Sequence, residues 1–129
     1  MNNQRILLID DEVPILEFIK ASLSREGYEV DVADDGAVGW DALQAKTYDL
    51  VVTDNLMPNL TGLGLIKLLK DVSIKIPVIM ITGTVPWGAF QNFPSLRPEA
   101  ILQKPFSTKE LLHVVHDTLG SAQPAEARC

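Results

Sequence analysis

The chain has 129 residues, 47% of them hydrophobic and 22% charged, which is enough apolar material for one domain with its own core. Its net charge of −6 disfavours direct binding of nucleic acid, because the surface would repel the phosphates. No apolar run reaches the roughly 18 residues of a membrane-spanning helix, and the first residues lack a signal-peptide pattern. The single cysteine, Cys129, cannot form an internal disulfide and fits a reducing cytoplasm.

Apolar strand-like runs alternate with helix-like segments, and this alternation predicts a parallel sheet covered by helices on both faces. The first helix is expected to begin near Glu12, with Pro14 in its first turn, and to end at Gly27. The second strand, Tyr28–Ala33, alternates acidic and apolar residues, which is typical of a half-exposed edge strand. The second helix is expected over about Gly36–Lys46.

A third helix is predicted over about Gly62–Lys70. Between Gly83 and Glu99, several prolines and glycines leave room for about two helical turns, around Trp87–Asn92. The fourth helix is therefore expected to be short or irregular.

Ser107 and Glu110 are spaced as a capping box at the start of the last helix, and Gly120 is expected to end that helix. We therefore expect one domain over residues 4–120 and a short disordered tail over residues 121–129. The sequence shows neither an internal repeat nor a second, output domain.

Polar groups of complementary charge follow four of the predicted strands. The residues are Asp10 and Asp11, Asp54, Thr82 and Lys104. The carboxyl ends of parallel strands lie at one edge of an open sheet, where such folds place their ligands. We therefore expect these side chains to form one site.

Three carboxylates in one site would repel one another, and a hard divalent cation such as Mg²⁺ would relieve that repulsion. Two donors, Thr82 and Lys104, beside a metal-bound carboxylate suit a tetrahedral anion, and phosphoryl is the obvious candidate. Asp54 would then be the nucleophile that becomes an acyl phosphate. Taken singly, Asp11 could merely favour a helix dipole and Thr82 could be an ordinary strand residue.

In their order and spacing these motifs resemble the receiver domain of two-component response regulators, over essentially Arg5 to Leu119. The matching segments are Ile9-Asp10-Asp11-Glu12, Asp54 with Met57-Pro58 and Gly62, Thr82-Gly83, and Lys104-Pro105-Phe106. The resemblance implies a flavodoxin-like α/β fold of (βα)5 type, doubly wound, with a five-stranded parallel sheet in the order 2-1-3-4-5. It also implies a cis bond between Lys104 and Pro105.

The resemblance further implies that Mg²⁺ is held by Asp11, Asp54 and the backbone carbonyl of Leu56, with Asp10 assisting. Asp54 would accept the phosphoryl group, while Thr82 and Lys104 would contact it. The donor would be a phosphohistidine on a histidine kinase or a histidine phosphotransfer protein. Signalling would then pass by protein–protein contact from a cytoplasmic monomer, or from a weak dimer linked to phosphorylation, with no nucleic acid or membrane as partner.

The chain departs from the family at Ile101, three residues before Lys104, where receivers usually carry Tyr or Phe. That aromatic residue normally moves inward when the threonine engages the phosphoryl group. The usual coupling is therefore in question here. Trp87, Phe90 and Phe93 are candidates for an alternative aromatic element or a partner-binding patch, against the simpler interpretation that they pack on the sheet.

Several other functions are compatible with parts of this sequence or are disfavoured by it. A receiver cut from a longer regulator or phosphorelay protein would have the same sequence, and so would a receiver fold that binds partners without phosphate. A phosphatase with an aspartyl-phosphate intermediate would need an acid two residues after Asp54, where Leu56 stands, so only slow self-phosphorylation and self-dephosphorylation are expected, and not an enzyme. A flavodoxin-like electron carrier is disfavoured because Asp10 and Asp11 would repel the flavin phosphate.

Overall fold

The computed structural model describes residues 4–122, with side chains described as far as Gly120. Five strands form one parallel sheet in the order β2-β1-β3-β4-β5, as expected. The strands are β1 Arg5–Ile9, β2 Glu29–Ala33, β3 Leu50–Asp54, β4 Val78–Thr82 and β5 Ala100–Gln103. The prediction that the second strand lies at an edge is thereby confirmed.

Helices follow each of the five strands, and a short 3₁₀ helix precedes β5. They are α1 Val13–Arg25, α2 Gly36–Ala45, α3 Gly62–Asp71, α4 Trp87–Asn92, the 3₁₀ helix Pro94–Leu96, and α5 Thr108–Ala122. The short fourth helix is as predicted. Within the described part of the chain, no helix has both the length and the apolar character needed to cross a bilayer.

Helices pack on both faces of the sheet, and successive residues of each strand point to opposite faces. In β1, Ile6 and Leu8 pack with apolar residues of α1 and α5. Leu7 and Ile9 pack on the other face, with residues of α2, α3 and α4. All five residues of β3 and of β4 are buried, which explains their continuous apolar runs. The packed sheet therefore positions the polar residues that stand at the carboxyl ends of its strands.

The two glycines that were expected to end helices behave differently. Gly27 follows α1 with φ of 93°, a left-handed conformation that favours glycine, and its N–H donates to the Ser24 carbonyl oxygen at 3.0 Å. The prediction that Gly120 ends α5 is wrong, since the helix continues through it to Ala122. A glycine inside a helix costs only about 1 kcal/mol relative to alanine, which does not suffice to stop a helix packed on a sheet. The disordered tail was expected over residues 121–129, but residues 121 and 122 belong to α5. The rest of that segment lies outside the described residues.

The capping box at the start of α5 is confirmed. The Glu110 N–H donates to the Ser107 hydroxyl oxygen at 3.1 Å, and the Ser107 N–H donates to the Glu110 carboxylate at 2.9 Å. The two side chains satisfy backbone donors that the first turn of a helix leaves without partners.

At the β2 edge, the Tyr48 hydroxyl donates a hydrogen bond of 2.7 Å to Asp31 Oδ2. Lys46 Nζ lies 3.5 Å from the same oxygen. The hydrogen bond from Tyr48 lowers the pKa of Asp31. Burial, together with the neighbouring carboxylate, raises the pKa of Tyr48 to about 12. The pair thus stabilises the fold only while Asp31 is ionised and Tyr48 is protonated.

We expect Tyr48→Phe to lower the free energy of unfolding at pH 7 by about 1 kcal/mol. This value is smaller than is usual for a hydrogen bond to a charged group, because 42% of the Asp31 side chain is exposed and water screens its charge. The loss should shrink below about pH 4, where Asp31 becomes protonated first in the unfolded chain and then in the folded one. It should also shrink above about pH 10, as Tyr48 ionises. Urea unfolding of both proteins across pH tests this, and a difference that does not change with pH would contradict it.

Candidate functional site

The sheet brings four of the predicted side chains to its carboxyl edge. Asp10 follows β1, Asp54 is the last residue of β3, Thr82 is the last of β4, and Lys104 follows β5. Strands β1 and β3 are neighbours, so Asp10 and Asp54 leave the sheet side by side. Lys104 follows β5, which is the outermost strand on the side of the sheet away from β2. The peptide bond between Lys104 and Pro105 is cis, as expected.

Lys104 is the cation at the centre of the site. Its Nζ lies 3.0 Å from Glu12 Oε1, 3.3 Å from Asp54 Oδ2 and 3.5 Å from Asp10 Oδ2. Burial of Lys104 lowers its pKa, but the hydrogen bond to Glu12 and the charges of Asp10 and Asp54 outweigh burial and raise it. The ammonium group is therefore held in its charged form beside Asp54.

Asp10 is almost fully buried, with 1% of its surface exposed. Burial raises its pKa and the Asp54 charge adds to this, whereas the Glu12 N–H, which donates to Asp10 Oδ1 at 2.9 Å, and the Lys104 charge oppose it. A carboxylate this deep in the protein is costly to keep ionised without a nearby cation. The site thus gathers more negative charge than Lys104 alone neutralises.

The donor set of the site fits a hard divalent cation. Carboxylate oxygens of Asp10, Glu12 and Asp54 all lie within 4.8 Å of one another. Oxygen ligands of this kind suit Mg²⁺, which takes one or two carboxylates and keeps several waters. Glu12 was not among the predicted ligands, although its place directly after Asp10-Asp11 could have suggested it. Asp11 was predicted as a ligand, but it is exposed and does not belong to this group of three acids. Metal binding by Asp11 and by the Leu56 carbonyl therefore stays a prediction.

The segment after β3 fixes the position of Asp54. The Asn55 N–H donates to Asp54 Oδ1 at 2.8 Å, and the buried Asn55 side chain accepts from the Leu63 N–H at 3.1 Å. The Gly62 N–H donates to the Asn55 carbonyl oxygen at 3.0 Å. A Cβ on Gly62 would lie 2.7 Å from the Asp54 carbonyl oxygen, so only glycine permits this approach. The start of α3 is thus packed directly against the acidic residue.

The structure places Thr82 at the expected strand end, but its hydroxyl does not donate toward Asp54. It donates to the Thr84 carbonyl oxygen at 3.0 Å and accepts from the Thr84 N–H at 3.3 Å. Thr82 is 1% exposed. Rotation about its Cα–Cβ bond would have to break these local bonds before the hydroxyl could contact an anion on Asp54.

The aromatic residues near β5 divide into two groups. Phe90 is buried and belongs to the same core cluster against which Ile101 packs. Trp87 and Phe93 are 54% and 60% exposed, and Arg97 lies 5.7 Å from the Trp87 ring centroid. Packing on the sheet is therefore the correct interpretation for Phe90 and is wrong for Trp87 and Phe93.

Comparison with known proteins gives a consistent result. The family described as response regulator receiver domain matches residues 6–116. The transcriptional regulatory protein DltR of Streptococcus agalactiae is 34% identical over 84% of this chain and 48% of its own length. The response regulator receiver protein CpdR of Brucella abortus is 28% identical over 92% of this chain and 99% of its own. The chain thus spans about half of the first of these relatives and nearly all of the second.

Two solved structures share the whole fold. The receiver domain of the Francisella response regulator 1452 superimposes with a TM-score of 0.84 at 30% identity, covering 94% of this chain and 100% of that one. The response regulator protein TrrA of Thermotoga maritima, solved in complex with Mg(2+)-BeF, gives 0.78 at 30% identity over 89% and 98%. The family match covers most of the chain, and the acidic site stands at the expected strand ends. The protein therefore belongs to the response regulator receiver domain family of two-component systems.

Proposed function

We propose that Asp54 accepts a phosphoryl group from a phosphohistidine on a histidine kinase or a histidine phosphotransfer protein. An oxygen of the Asp54 carboxylate would attack phosphorus, the new P–O bond would form as the P–N bond breaks, and the imidazole would leave with the bonding electrons. The observation that carries this proposal is the position of Asp54. Its side chain is 7% exposed, one oxygen is held by the Asn55 N–H, and the other lies 3.3 Å from Lys104.

The residues at this edge account for the rest of the chemistry. Mg²⁺ would be held by Asp54, by Asp11, by the Leu56 carbonyl, and by either Asp10 or Glu12. The cation would neutralise the negative charge that develops on the transferred phosphoryl group. Lys104 would exchange its contact with the Asp54 carboxylate for one with a phosphoryl oxygen. Thr82 would rotate away from Thr84 and donate to a second oxygen. Binding the phosphoryl group would thus change the hydrogen bonds at the start of the β4–α4 connection.

Incubation with Mg²⁺ and acetyl phosphate should add the mass of one phosphoryl group to the chain. Asp54→Asn should abolish the added mass, because an amide oxygen is not a competent nucleophile here. Intact-mass spectrometry measures both. Asp71→Asn is the matched control, since Asp71 is an exposed acid that only pairs with Lys67, and it should label like the wild type.

A chain that stays unlabelled with acetyl phosphate should be tested again with phosphohistidine donors. Failure with those donors as well, or an undiminished adduct in Asp54→Asn, would contradict the proposal. The chain would then be better interpreted as a receiver fold that binds its partners independently of phosphate.

The phosphorylated state is expected to persist, which separates this protein from phosphatases that use an aspartyl phosphate. Leu56 occupies the position two residues after Asp54, and its exposed apolar side chain cannot activate water. Turnover of a generic phosphoester should stay below about one per second, the low end of ordinary enzyme rates. A continuous phosphate-release assay tests this, and faster turnover would mean that the chain is an enzyme.

We propose further that a downstream protein responds to the phosphorylated state by direct contact, in the cytoplasm, without nucleic acid or membrane as the immediate partner. The match to CpdR over 99% of its length supports a receiver that acts alone. The match to DltR over 48% of its length supports the alternative, a receiver joined to further domains. The size of the native protein on an immunoblot of source cells distinguishes them. Sedimentation with and without acetyl phosphate tests for the weak dimer.

A further inference from the structure

The loop between β3 and α3, residues 55–61, is tied to the start of α2. Asn59 Nδ2 donates to Asp35 Oδ2 at 3.2 Å. The other oxygen of that carboxylate, Asp35 Oδ1, accepts from the Val38 N–H at 2.8 Å and so caps α2. One side chain therefore holds the loop and the helix terminus together.

Asn59 meets two demands at this position. Its φ is 70°, in the left-handed region that asparagine tolerates better than most residues with a side chain. It also supplies the donor that reaches Asp35. Glycine would satisfy the backbone and lose the hydrogen bond, whereas alanine would satisfy neither demand.

The loop has little freedom to move toward α2. An added Cβ at Gly36 would lie 2.0 Å from the Leu60 carbonyl oxygen, which shows how closely the two backbones approach. Movement the other way, out from α2, is opposed by the Asn59–Asp35 hydrogen bond. Leu56, whose carbonyl is a proposed metal ligand, lies on the same short loop, and its exposed side chain does little to anchor it.

We infer that Asn59, held by Asp35, is a positioning residue for the Mg²⁺ site. Its hydrogen bond keeps the loop, and with it the Leu56 carbonyl, in place for the cation. This inference rests on the proposed function, because it assumes that Mg²⁺ binds beside Asp54.

The test is the dissociation constant of Mg²⁺, measured by titration calorimetry on the full chain. Asn59→Gly keeps the left-handed backbone and removes the donor. Asp35→Ser keeps a capping oxygen for the Val38 N–H and removes Oδ2, the oxygen that accepts from Asn59. Each variant should bind Mg²⁺ about tenfold more weakly, at the lower end of the effect of a residue that supports a metal ligand. The double variant Asp35→Ser/Asn59→Gly should be no weaker than either single variant, because each single variant and the double variant lose the same hydrogen bond between residues 35 and 59.

Ser73→Gly is the matched control. Ser73 also has a left-handed backbone, with φ of 60°. It follows α3 and precedes β4, and so lies near the amino ends of the strands, away from the Mg²⁺ site. Its replacement should leave Mg²⁺ affinity unchanged. Thermal unfolding without metal should show little difference between Asn59→Gly and the wild type, since glycine relieves the left-handed strain. If Asn59 served only to stabilise the fold, Asn59→Gly would lower stability together with Mg²⁺ affinity. A loss of Mg²⁺ affinity alone would therefore support a positioning role.

Wild-type affinity in Asn59→Gly or Asp35→Ser would overturn the inference, as would additive losses in the double variant. Failure of the proposed function is a different result. In that case the wild-type chain itself would neither bind Mg²⁺ nor acquire a phosphoryl group from acetyl phosphate or a phosphohistidine donor.

Discussion

Lys104→Met should lower the free energy of unfolding by about 2–3 kcal/mol at neutral pH without divalent cations. The substitution leaves the carboxylates of Asp10, Glu12 and Asp54 close to one another with no cation among them. Asp10 and Asp54 keep only 2% and 7% of their side chains exposed, so water screens their repulsion weakly. The value lies below the roughly 3–5 kcal/mol for breaking a fully buried pair, because the Glu12 side chain is 57% exposed. Urea unfolding in the presence of a chelator measures the loss.

Lys67→Met provides the comparison for this prediction. Lys67 forms an ion pair of 2.9 Å with Asp71 on the surface of α3, and its side chain is 65% exposed. A helix pair of this kind contributes about 0.3–0.5 kcal/mol. Adding Mg²⁺ should recover much of the stability of Lys104→Met and change Lys67→Met no more than the wild type. Equal losses in the two variants would mean that the three acids repel one another far less than their burial indicates.

Gly36→Ala should destabilise the chain by about 3 kcal/mol and lower the melting temperature by roughly 10 °C. The new Cβ would lie 2.0 Å from the Leu60 carbonyl oxygen and 2.7 Å from the Leu60 Cβ. Because the nearest atom belongs to the backbone, the contact cannot be relieved by a side-chain rotation. Either α2 or the β3–α3 loop must shift. Thermal unfolding followed by circular dichroism measures the effect.

Gly88→Ala makes the same substitution early in α4, where a Cβ would meet nothing within 4 Å. Alanine is favoured over glycine in a helix by up to about 1 kcal/mol, so this variant should be as stable as the wild type or slightly more stable. A Gly36→Ala protein as stable as Gly88→Ala would show that the two backbones separate at little cost. It would also weaken the argument that the loop beside Asp54 is held in place from the α2 side.

Much of the site could be predicted from the sequence, because it depends on where strands end. Asp10, Asp54, Thr82 and Lys104 each close or follow an apolar run, and parallel strands bring their carboxyl ends to one edge. The short fourth helix could be predicted for an equally local reason, since prolines and glycines limit it. These features follow from the order of residue types within a segment.

Contacts between segments could not be predicted in this way. Glu12 looked like part of a helix start, and only the folded chain brings its carboxylate within 3.0 Å of Lys104, which lies ninety-two positions further along. The hydroxyl of Thr82 was expected to point at Asp54, but the turn after β4 offers it a nearer acceptor in Thr84. A side chain can rotate among several staggered positions, and its neighbours in space decide which one it occupies.

The sequence by itself determined the alternation of strands and helices, the edge position of β2 and the identity of the charged groups at one edge of the sheet, because local patterns of apolar and polar residues encode these features. The tertiary structure decided which of those groups touch, how closely α2 approaches the β3–α3 loop, and that α5 runs through Gly120. Those outcomes depend on packing between distant segments. Such packing fixes distances of a few ångströms that no local pattern contains.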